Sequence, residues 1–115
     1  MEFLVEFESQ IPDGTSESEI KTRYSAETAA SAKLAREGHL VRLWRPPTAP
    51  GERKALGLYR ADGKEQLDGL LGALPLHEWM QVTVTPLEPH PSDPSYGASL
   101  RGLGHSRERA VDVIV

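Results

Sequence analysis

The chain has 115 residues, a formal net charge of −4 and no cysteine. This length suits one domain with a modest core, and the missing thiols exclude a cysteine nucleophile, a disulfide scaffold and a thiolate zinc site. The acidic balance argues against nucleic acid as a partner. A strand-like start and the lack of a long apolar run favour a cytoplasmic protein with neither a signal peptide nor a membrane partner.

The first third of the chain predicts a strand followed by a helix. Residues 2–8 alternate between two faces, one of which carries three large apolar side chains, Phe3, Val5 and Phe7. Such alternation is typical of a half-buried strand. Ser16 and Glu19 have the spacing of a capping box, and Gly38 stands where a left-handed C-cap belongs. A helix is therefore expected from about residue 17 to residue 37.

The next segments predict two strands, a helix and a last strand. Strands are expected from Leu40 to Arg45 and from Arg53 to Arg60, separated by a proline-rich loop that cannot pair. Asp62 is expected to cap a second helix, which Pro75 ends and whose apolar face carries Leu67, Leu70, Leu71 and Leu74. Residues 80–87 predict the fourth strand.

The element order βαββαβ predicts an α+β, ferredoxin-like sandwich, in which two helices cover one face of a four-stranded antiparallel sheet. The other face would carry apolar side chains at three positions, Leu4, Val41 or Trp44, and Leu56 or Tyr59. An open apolar face predicts burial in at least a homodimer. Residues 93–115 predict an extended C-terminal tail, and its apolar end, residues 110–115, is expected to dock on a neighbouring subunit.

Short motifs in this chain resemble those of the muconolactone delta-isomerases. Residues 74–80 fit the family pattern L-P-L-x-x-x-M, and V-T-P-L and H-P-S follow within residues 82–92. Residues 43–45 fit L-W-R, and residues 3–12 fit F-x-V…I-P. The resemblance covers residues 1–92, here taken as the folded domain. It implies an isomerase of aromatic-compound catabolism that shifts a double bond in a small carboxylated lactone without metal or cofactor, as a dimer or a ring of dimers.

Glu27 is the candidate catalytic acid/base. It shares a core-facing helical stripe with residues of mixed character, Ile20, Tyr24, Ser31 and Leu34. An inward carboxylate is unfavourable unless it is paired or functional, and burial would raise its pKa towards the range of a general base. The resemblance implies a glutamate at this position in the isomerases. In the alternative reading, the stripe has a wet edge and Glu27 pairs with Arg23 or with an arginine of the sheet.

Five residues are candidates for substrate binding: Arg45, Arg53, Trp44, Tyr24 and His90. An arginine in a cleft is suited to bind a carboxylate through two hydrogen bonds, although Arg45 could equally pair with a surface acid. Trp44 leaves the opposite face of the same strand and fits a packing role better. His90 could lie over the pocket or cap a strand. No two histidines have metal-ligand spacing, so no metal is assigned.

The chain departs from the family pattern on its two middle strands. Its loop after L-W-R is longer and rich in proline, Arg53 and Ala55 stand where the family has tyrosine and asparagine, and Arg42 replaces a histidine. These changes predict a rebuilt pocket wall and a more acidic ligand, unless Arg42 and Arg53 point to solvent. Two other functions stay open: a cyclase, dehalogenase-like or oxygenase-like enzyme of the same fold, and a non-catalytic ligand-binding module.

Overall fold

Four strands and two helices alternate along the computed structural model, which describes residues 1–96. In chain order the elements are β1 Glu2–Ser9, α1 Glu17–Arg36, β2 Leu40–Trp44, β3 Arg53–Arg60, α2 Lys64–Gly72, the 3-10 turn His77–Trp79 and β4 Met80–Leu87. The strands pair antiparallel in the order β2-β3-β1-β4. This is the predicted ferredoxin-like arrangement. The expected docking of residues 110–115 lies outside the described part of the chain.

The alternation along β1 places the core on one face of the sheet. Phe3 and Val5 are completely buried, and Phe7 is 6% exposed. Their partners across β3 are Tyr59, Gly57 and Ala55, and residues directly opposite in an antiparallel pair share a face. The helices bring further buried side chains to this face, Leu34 from α1 and Leu67 and Leu71 from α2.

Helix α1 begins and ends where the sequence predicts. The Ser16 hydroxyl accepts a hydrogen bond of 3.1 Å from the backbone N–H of Glu19, which satisfies one of the free donors at the helix start. Acidic residues occupy the first turn and basic residues the last, as the helix dipole favours. Gly38 has a φ of +84°, so it terminates the helix in the left-handed conformation that glycine adopts without strain.

The start of helix α2 differs from the prediction that Asp62 caps it. The N-cap is Gly63, which has no side chain to bond the first turn. Asp62 lies one residue too early, and its own backbone N–H instead donates a hydrogen bond of 2.7 Å to Oε1 of Gln66. The helix ends at Gly72, ahead of Pro75. Neither helix of the described residues is both long and apolar enough to cross a bilayer.

The open face of the sheet carries Trp44 and Leu56, which pair across β2 and β3. Tyr59 lies on the opposite face, in the core, where it is 2% exposed. The sequence left open which residues of β2 and β3 lie on this face. The pairing irregularity after Leu40 places Trp44 there, opposite Leu56. Trp44 is 40% exposed, and the guanidinium of Arg42 lies 5.0 Å from the centre of its ring. The open face therefore carries the predicted apolar side chains, together with charged ones such as Glu6 and Lys54.

Candidate active site

A cavity of about 660 Å³ opens between α1 and the strands β1 to β3. Helix α2, with 9 residues against the 20 of α1, contributes none of its lining. The side chains that border the cavity include small ones that leave the space unfilled, Thr28, Ser31 and Ala55. Larger side chains form its floor and mouth, among them Phe7, Tyr24, Leu43, Met80 and Tyr59. The volume is in the range of small-molecule sites.

Glu27 lines this cavity in a half-buried position on α1. Its Oε1 accepts a hydrogen bond of 3.0 Å from the backbone N–H of Leu76. Burial raises the pKa of the Glu27 carboxyl above its ordinary value, and the Leu76 N–H opposes that shift. No ion pair reaches Glu27 from another residue of the described chain. The carboxylate therefore has the environment of a general base rather than of a surface ion pair.

The segment before β4 fixes the orientation of Glu27. Arg23, one helical turn earlier, donates a hydrogen bond of 3.2 Å to the carbonyl oxygen of Pro75. Its guanidinium also lies 4.7 Å from the centre of the Trp79 ring and forms an ion pair of 3.4 Å with Glu19. Arg23 is thus engaged elsewhere, which answers the alternative that it pairs with Glu27. Together the two helix residues hold the backbone of residues 75–76 against α1.

Two arginines stand at the exposed mouth of the same cavity. Arg45 follows β2 and Arg53 begins β3, and both border the cavity. The Arg53 guanidinium lies 5.5 Å from the centre of the Tyr24 ring, a cation–π contact that orients the side chain. No ion pair engages either arginine within residues 1–96. Glu52 and Lys54 also border the cavity and form an ion pair of 3.9 Å with each other, so the two arginines leave the mouth with net positive charge beside the half-buried Glu27.

Tyr59 also lines the cavity, and the sequence did not single it out as a site residue. Burial, and then the negative charge of Glu27, raise the pKa of the Tyr59 hydroxyl to about 12. Its ring meets Phe7 edge-on, with the ring centres 6.1 Å apart. The available signal was its spacing of two from Gly57, which places both residues on the face that Val5 and Phe3 occupy.

Two predicted binding residues do not reach this cavity. Trp44 lies on the open face of the sheet, because its neighbours Leu43 and Arg45 occupy the alternate positions that border the cavity. His90 is exposed beyond β4, where its Nδ1 accepts a hydrogen bond of 2.9 Å from the Ser92 backbone N–H. That local turn, not a pocket, accounts for its orientation.

The strand positions that depart from the family pattern also differ in whether they reach the cavity. Arg53 and Ala55 border the cavity. Arg42 does not, since it pairs with Leu58 and lies over Trp44 on the open face. One additional arginine, rather than two, therefore enters the site. Within residues 1–96 no group of three His, Asp or Glu side chains is placed to hold a metal ion.

The sequence and the fold are similar to those of known isomerases. A family model described as muconolactone delta-isomerase matches residues 1–93. Muconolactone Delta-isomerase 1 of Acinetobacter lwoffii is 35% identical over 95 residues, a match that covers 80% of this chain and 93% of the relative. The enzyme of Acinetobacter baylyi is 28% identical over 92 residues, with 80% and 93% of the two chains covered.

Solved structures support the same conclusion. A crystal structure of muconolactone isomerase superposes with a TM-score of 0.74 at 26% identity, over 82% of this chain and 95% of that one. A 5-chloro-2-hydroxyhydroquinone dehydrochlorinase from Burkholderia phenoliruptrix has a TM-score of 0.62 at 13% identity, over 81% and 99% of the chains, and so shares the fold. The family and structure matches support a function like that of muconolactone delta-isomerase. The chain belongs to the muconolactone delta-isomerase family.

Proposed function

We propose that this protein isomerises a carboxylated, unsaturated lactone, with Glu27 as the single acid/base. One observation carries the proposal: a half-buried carboxylate with a raised pKa faces a cavity whose mouth holds two arginines without an ion pair among residues 1–96. A base inside the site and positive charge at its mouth match a ring substrate that bears a carboxylate.

The proposed reaction moves one proton and one double bond within the lactone. The Glu27 carboxylate removes the proton from the ring carbon beside the ring oxygen. The electrons of that bond spread through the ring and onto the carbonyl oxygen, which gives a dienolate. Protonated Glu27 then returns the proton two carbons away, so that the double bond shifts and the composition of the lactone is unchanged. The step as proposed uses no metal and no cofactor.

The raised pKa of Glu27 suits both halves of this cycle. A carboxylate in water is a weak base, and partial desolvation makes it a stronger one. The same shift keeps the protonated form accessible, so the residue can return the proton near neutral pH. The Leu76 N–H opposes the shift through its 3.0 Å hydrogen bond to Oε1 and leaves the second carboxylate oxygen available to the substrate.

Arg45 and Arg53 are proposed to bind the carboxylate of the substrate. Both stand at the mouth of the cavity, and an arginine can donate two parallel hydrogen bonds to one carboxylate. Tyr24 contributes by holding the Arg53 guanidinium 5.5 Å from its ring centre. The charge of Arg53 favours a lactone more acidic than muconolactone, for example one with a second carboxylate.

A second candidate function is favoured by the altered wall. Arg53 and Ala55 both border the cavity, where they replace a family tyrosine and asparagine. A change of hydrogen-bonding groups at the wall changes which ligand leaves no buried group unpaired. An enzyme of the same fold that acts on another ring, through the same Glu27, is therefore the alternative. A binding module without catalysis is less well supported, because Glu27 is half-buried rather than exposed.

Lactone turnover tests the proposal directly. Purified full-length protein is incubated with muconolactone and, separately, with a lactone that carries two carboxylates, and conversion is followed by absorbance. We expect turnover of at least one lactone, preference for the dicarboxylate, and loss of turnover in Glu27→Gln. Efficient turnover of muconolactone, at about 10⁴ M⁻¹ s⁻¹ or above, with no preference for the dicarboxylate would contradict the altered specificity. Absence of turnover with every lactone would reject the isomerase proposal.

We also propose that the protein assembles through the open face of its sheet, as a homodimer or a ring of dimers. Leu4, Leu56 and Leu58 line this face as cross-strand neighbours, beside the exposed Trp44. A patch of that kind is typical of a subunit interface. Light scattering of Trp44→Glu should show a smaller particle than that of Trp44→Phe, and a wild-type monomer at micromolar concentration would refute the proposal. A cytoplasmic location stays an expectation from the sequence.

A further inference from the structure

Gly57 makes room for the Tyr59 ring on the helix-covered face of β3. A Cβ atom at Gly57 would lie 2.6 Å from Cε1 of Tyr59 and 3.2 Å from its Cδ1. The ring therefore occupies the volume that a side chain at position 57 would take, flat against the sheet. Its edge contact with Phe7 lies in the same direction, towards the end of the sheet where the cavity opens. A glycine two residues earlier thus sets the orientation of the tyrosine.

The hydroxyl of Tyr59 opens onto the cavity. Tyr59 borders that space, and no hydrogen bond joins its hydroxyl to another residue of the described chain. Within residues 1–96, no fully buried side-chain oxygen lacks a partner. The hydroxyl is therefore not sealed inside the core, although the residue as a whole is only 2% exposed. A polar atom on an otherwise buried ring, without a protein partner, is available to a ligand.

The charge environment makes Tyr59 a donor rather than a base. Burial and the nearby Glu27 carboxylate raise the pKa of its hydroxyl to about 12. The hydroxyl therefore keeps its proton throughout the neutral pH range. Tyr59 and Glu27 both border the same cavity, which is the geometric observation that brings the two groups together. The cavity thus holds one group able to take a proton and one able to donate a hydrogen bond.

We propose that Tyr59 is a further catalytic residue, whose hydroxyl donates a hydrogen bond to the lactone carbonyl oxygen as that atom becomes negative. The inference rests on the proposed isomerase function. When Glu27 removes the ring proton, the electrons of the broken bond reach the carbonyl oxygen, and Tyr59 stabilises the resulting dienolate while keeping its own proton. When Glu27 returns the proton, the negative charge leaves the oxygen and the hydrogen bond weakens.

In the proposed site, one neutral donor and two charged donors bind different parts of the substrate. Arg45 and Arg53 stand at the exposed mouth and suit the permanent charge of a carboxylate. Tyr59 is buried, and it borders the cavity together with Phe7 and Leu76. Donors that meet charge only as it develops lower the barrier, because they bind the transition state more strongly than the substrate.

The test removes only the hydroxyl. Tyr59→Phe keeps the ring that packs on Phe7 and over Gly57, and Tyr96→Phe removes the hydroxyl of a tyrosine that does not border the cavity. We expect kcat for the best lactone to fall by roughly 10²-fold in Tyr59→Phe, the scale of one lost oxyanion donor. Tyr96→Phe should keep wild-type kcat, and thermal melting should show that both variants fold.

Binding of an enolate mimic gives a second readout that does not depend on turnover. Tetronate, the anion of a five-membered lactone with a negative oxygen conjugated to its carbonyl, resembles the dienolate. Calorimetry should show weaker tetronate binding to Tyr59→Phe, by about tenfold as expected for one hydrogen bond to a charged oxygen. An uncharged butenolide should bind the variant and the wild type alike.

The outcomes separate the two proposals. An active wild type, an inactive Glu27→Gln and a Tyr59→Phe variant with near-normal kcat and tetronate affinity would overturn the role of Tyr59 alone. A wild type without lactone turnover would reject the isomerase function, and the role of Tyr59 with it. A fall in kcat together with weaker tetronate binding, in a variant that melts like the wild type, would establish the role.

Discussion

Replacement of Glu27 by glutamine should lower turnover by roughly 10²-fold or more without destabilising the fold. The pKa of Glu27 is raised in the folded protein, chiefly by burial. The folded state therefore holds the proton of Glu27 more tightly than the unfolded chain does. The stability that this group contributes is complete below the unfolded pKa and is lost as pH rises through the higher folded pKa. Near neutral pH the charged Glu27 carboxylate thus lowers the free energy of unfolding, whereas a neutral glutamine does not.

The hydrogen bond from the Leu76 N–H determines how the stabilities of two Glu27 variants should differ. Glutamine keeps an acceptor oxygen for the Leu76 N–H, now 3.0 Å from Oε1 of Glu27. Alanine removes it, and an unsatisfied, partly buried N–H costs about 1–3 kcal/mol. Because Glu27 is only half-buried, solvent screens its charge, and the gain in Glu27→Gln should stay below about 1 kcal/mol. At neutral pH we therefore expect the stability order Gln at or above wild type, with Ala lowest.

Urea unfolding at several pH values, combined with lactone kinetics, measures both effects. The stability difference between Glu27→Gln and wild type should grow in favour of glutamine from about pH 4, near the ordinary glutamate pKa, to neutral pH. Both Glu27 variants should lose turnover by roughly 10² or more. Glu17→Gln serves as the control, because Glu17 is exposed in the first turn of α1. Loss of that charge should slightly weaken the fold through the helix dipole and leave turnover unchanged.

Two results would refute this reasoning. Near-normal turnover in Glu27→Gln would assign proton transfer to another residue. A loss of stability in Glu27→Gln as large as in Glu27→Ala, at neutral pH, would mean that the negative charge supports the fold. In that case the balance between burial and the Leu76 hydrogen bond would be the reverse of the one inferred from the structure.

Three further outcomes follow from the same structure. Gly57→Ala should lower the free energy of unfolding by about 1–3 kcal/mol, because its Cβ would overlap the Tyr59 ring. Gly69→Ala, inside α2 with open space around it, should instead raise the free energy of unfolding by about 0.5–1 kcal/mol. Urea unfolding of the two variants measures both changes. Arg45→Gln and Arg53→Gln should each raise KM for a carboxylated lactone about tenfold, for the loss of roughly 1.4 kcal/mol of binding, and unchanged KM would exclude carboxylate binding there. The acid limb of kcat/KM should lie above the ordinary glutamate pKa, because that limb reports the free-enzyme pKa of Glu27, and a limb at or below it would contradict the burial effect.

The sequence predicted the fold because its local signals agreed with one another. Period-two alternation in β1, a capping serine at α1 and a glycine at the end of that helix all specify the same architecture. The error at α2 arose where two signals competed. Asp62 is a good capping residue, but Gln66 binds its backbone N–H, and the helix begins one residue later, after Gly63. Propensity alone cannot decide between such neighbouring caps.

Periodicity predicted the placement of some candidate site residues but not of others. Helical spacing placed Glu27 and Tyr24 on one stripe, and both border the cavity. For strands, alternation says that Trp44 and Arg45 leave opposite faces but not which of them meets the helices. The pairing irregularity after Leu40 decides this, and it has no clear sequence signature. His90 follows the last strand, where no periodicity applies.

The cavity itself follows from unequal cover of one sheet face. The longer helix, α1, lines the cavity, while α2 ends after 9 residues and lines none of it. The leucines of α2 join the core cluster that includes Phe3 and Tyr59, which pair at one end of the sheet. At the other end the strands carry Ala55, and α1 carries Ser31, neither of which is large enough to fill the gap. Tyr59 connects the two regions, because its ring belongs to the core while its hydroxyl opens onto the cavity. One core residue thus also borders the cavity, and Gly57 leaves room for its ring in that position.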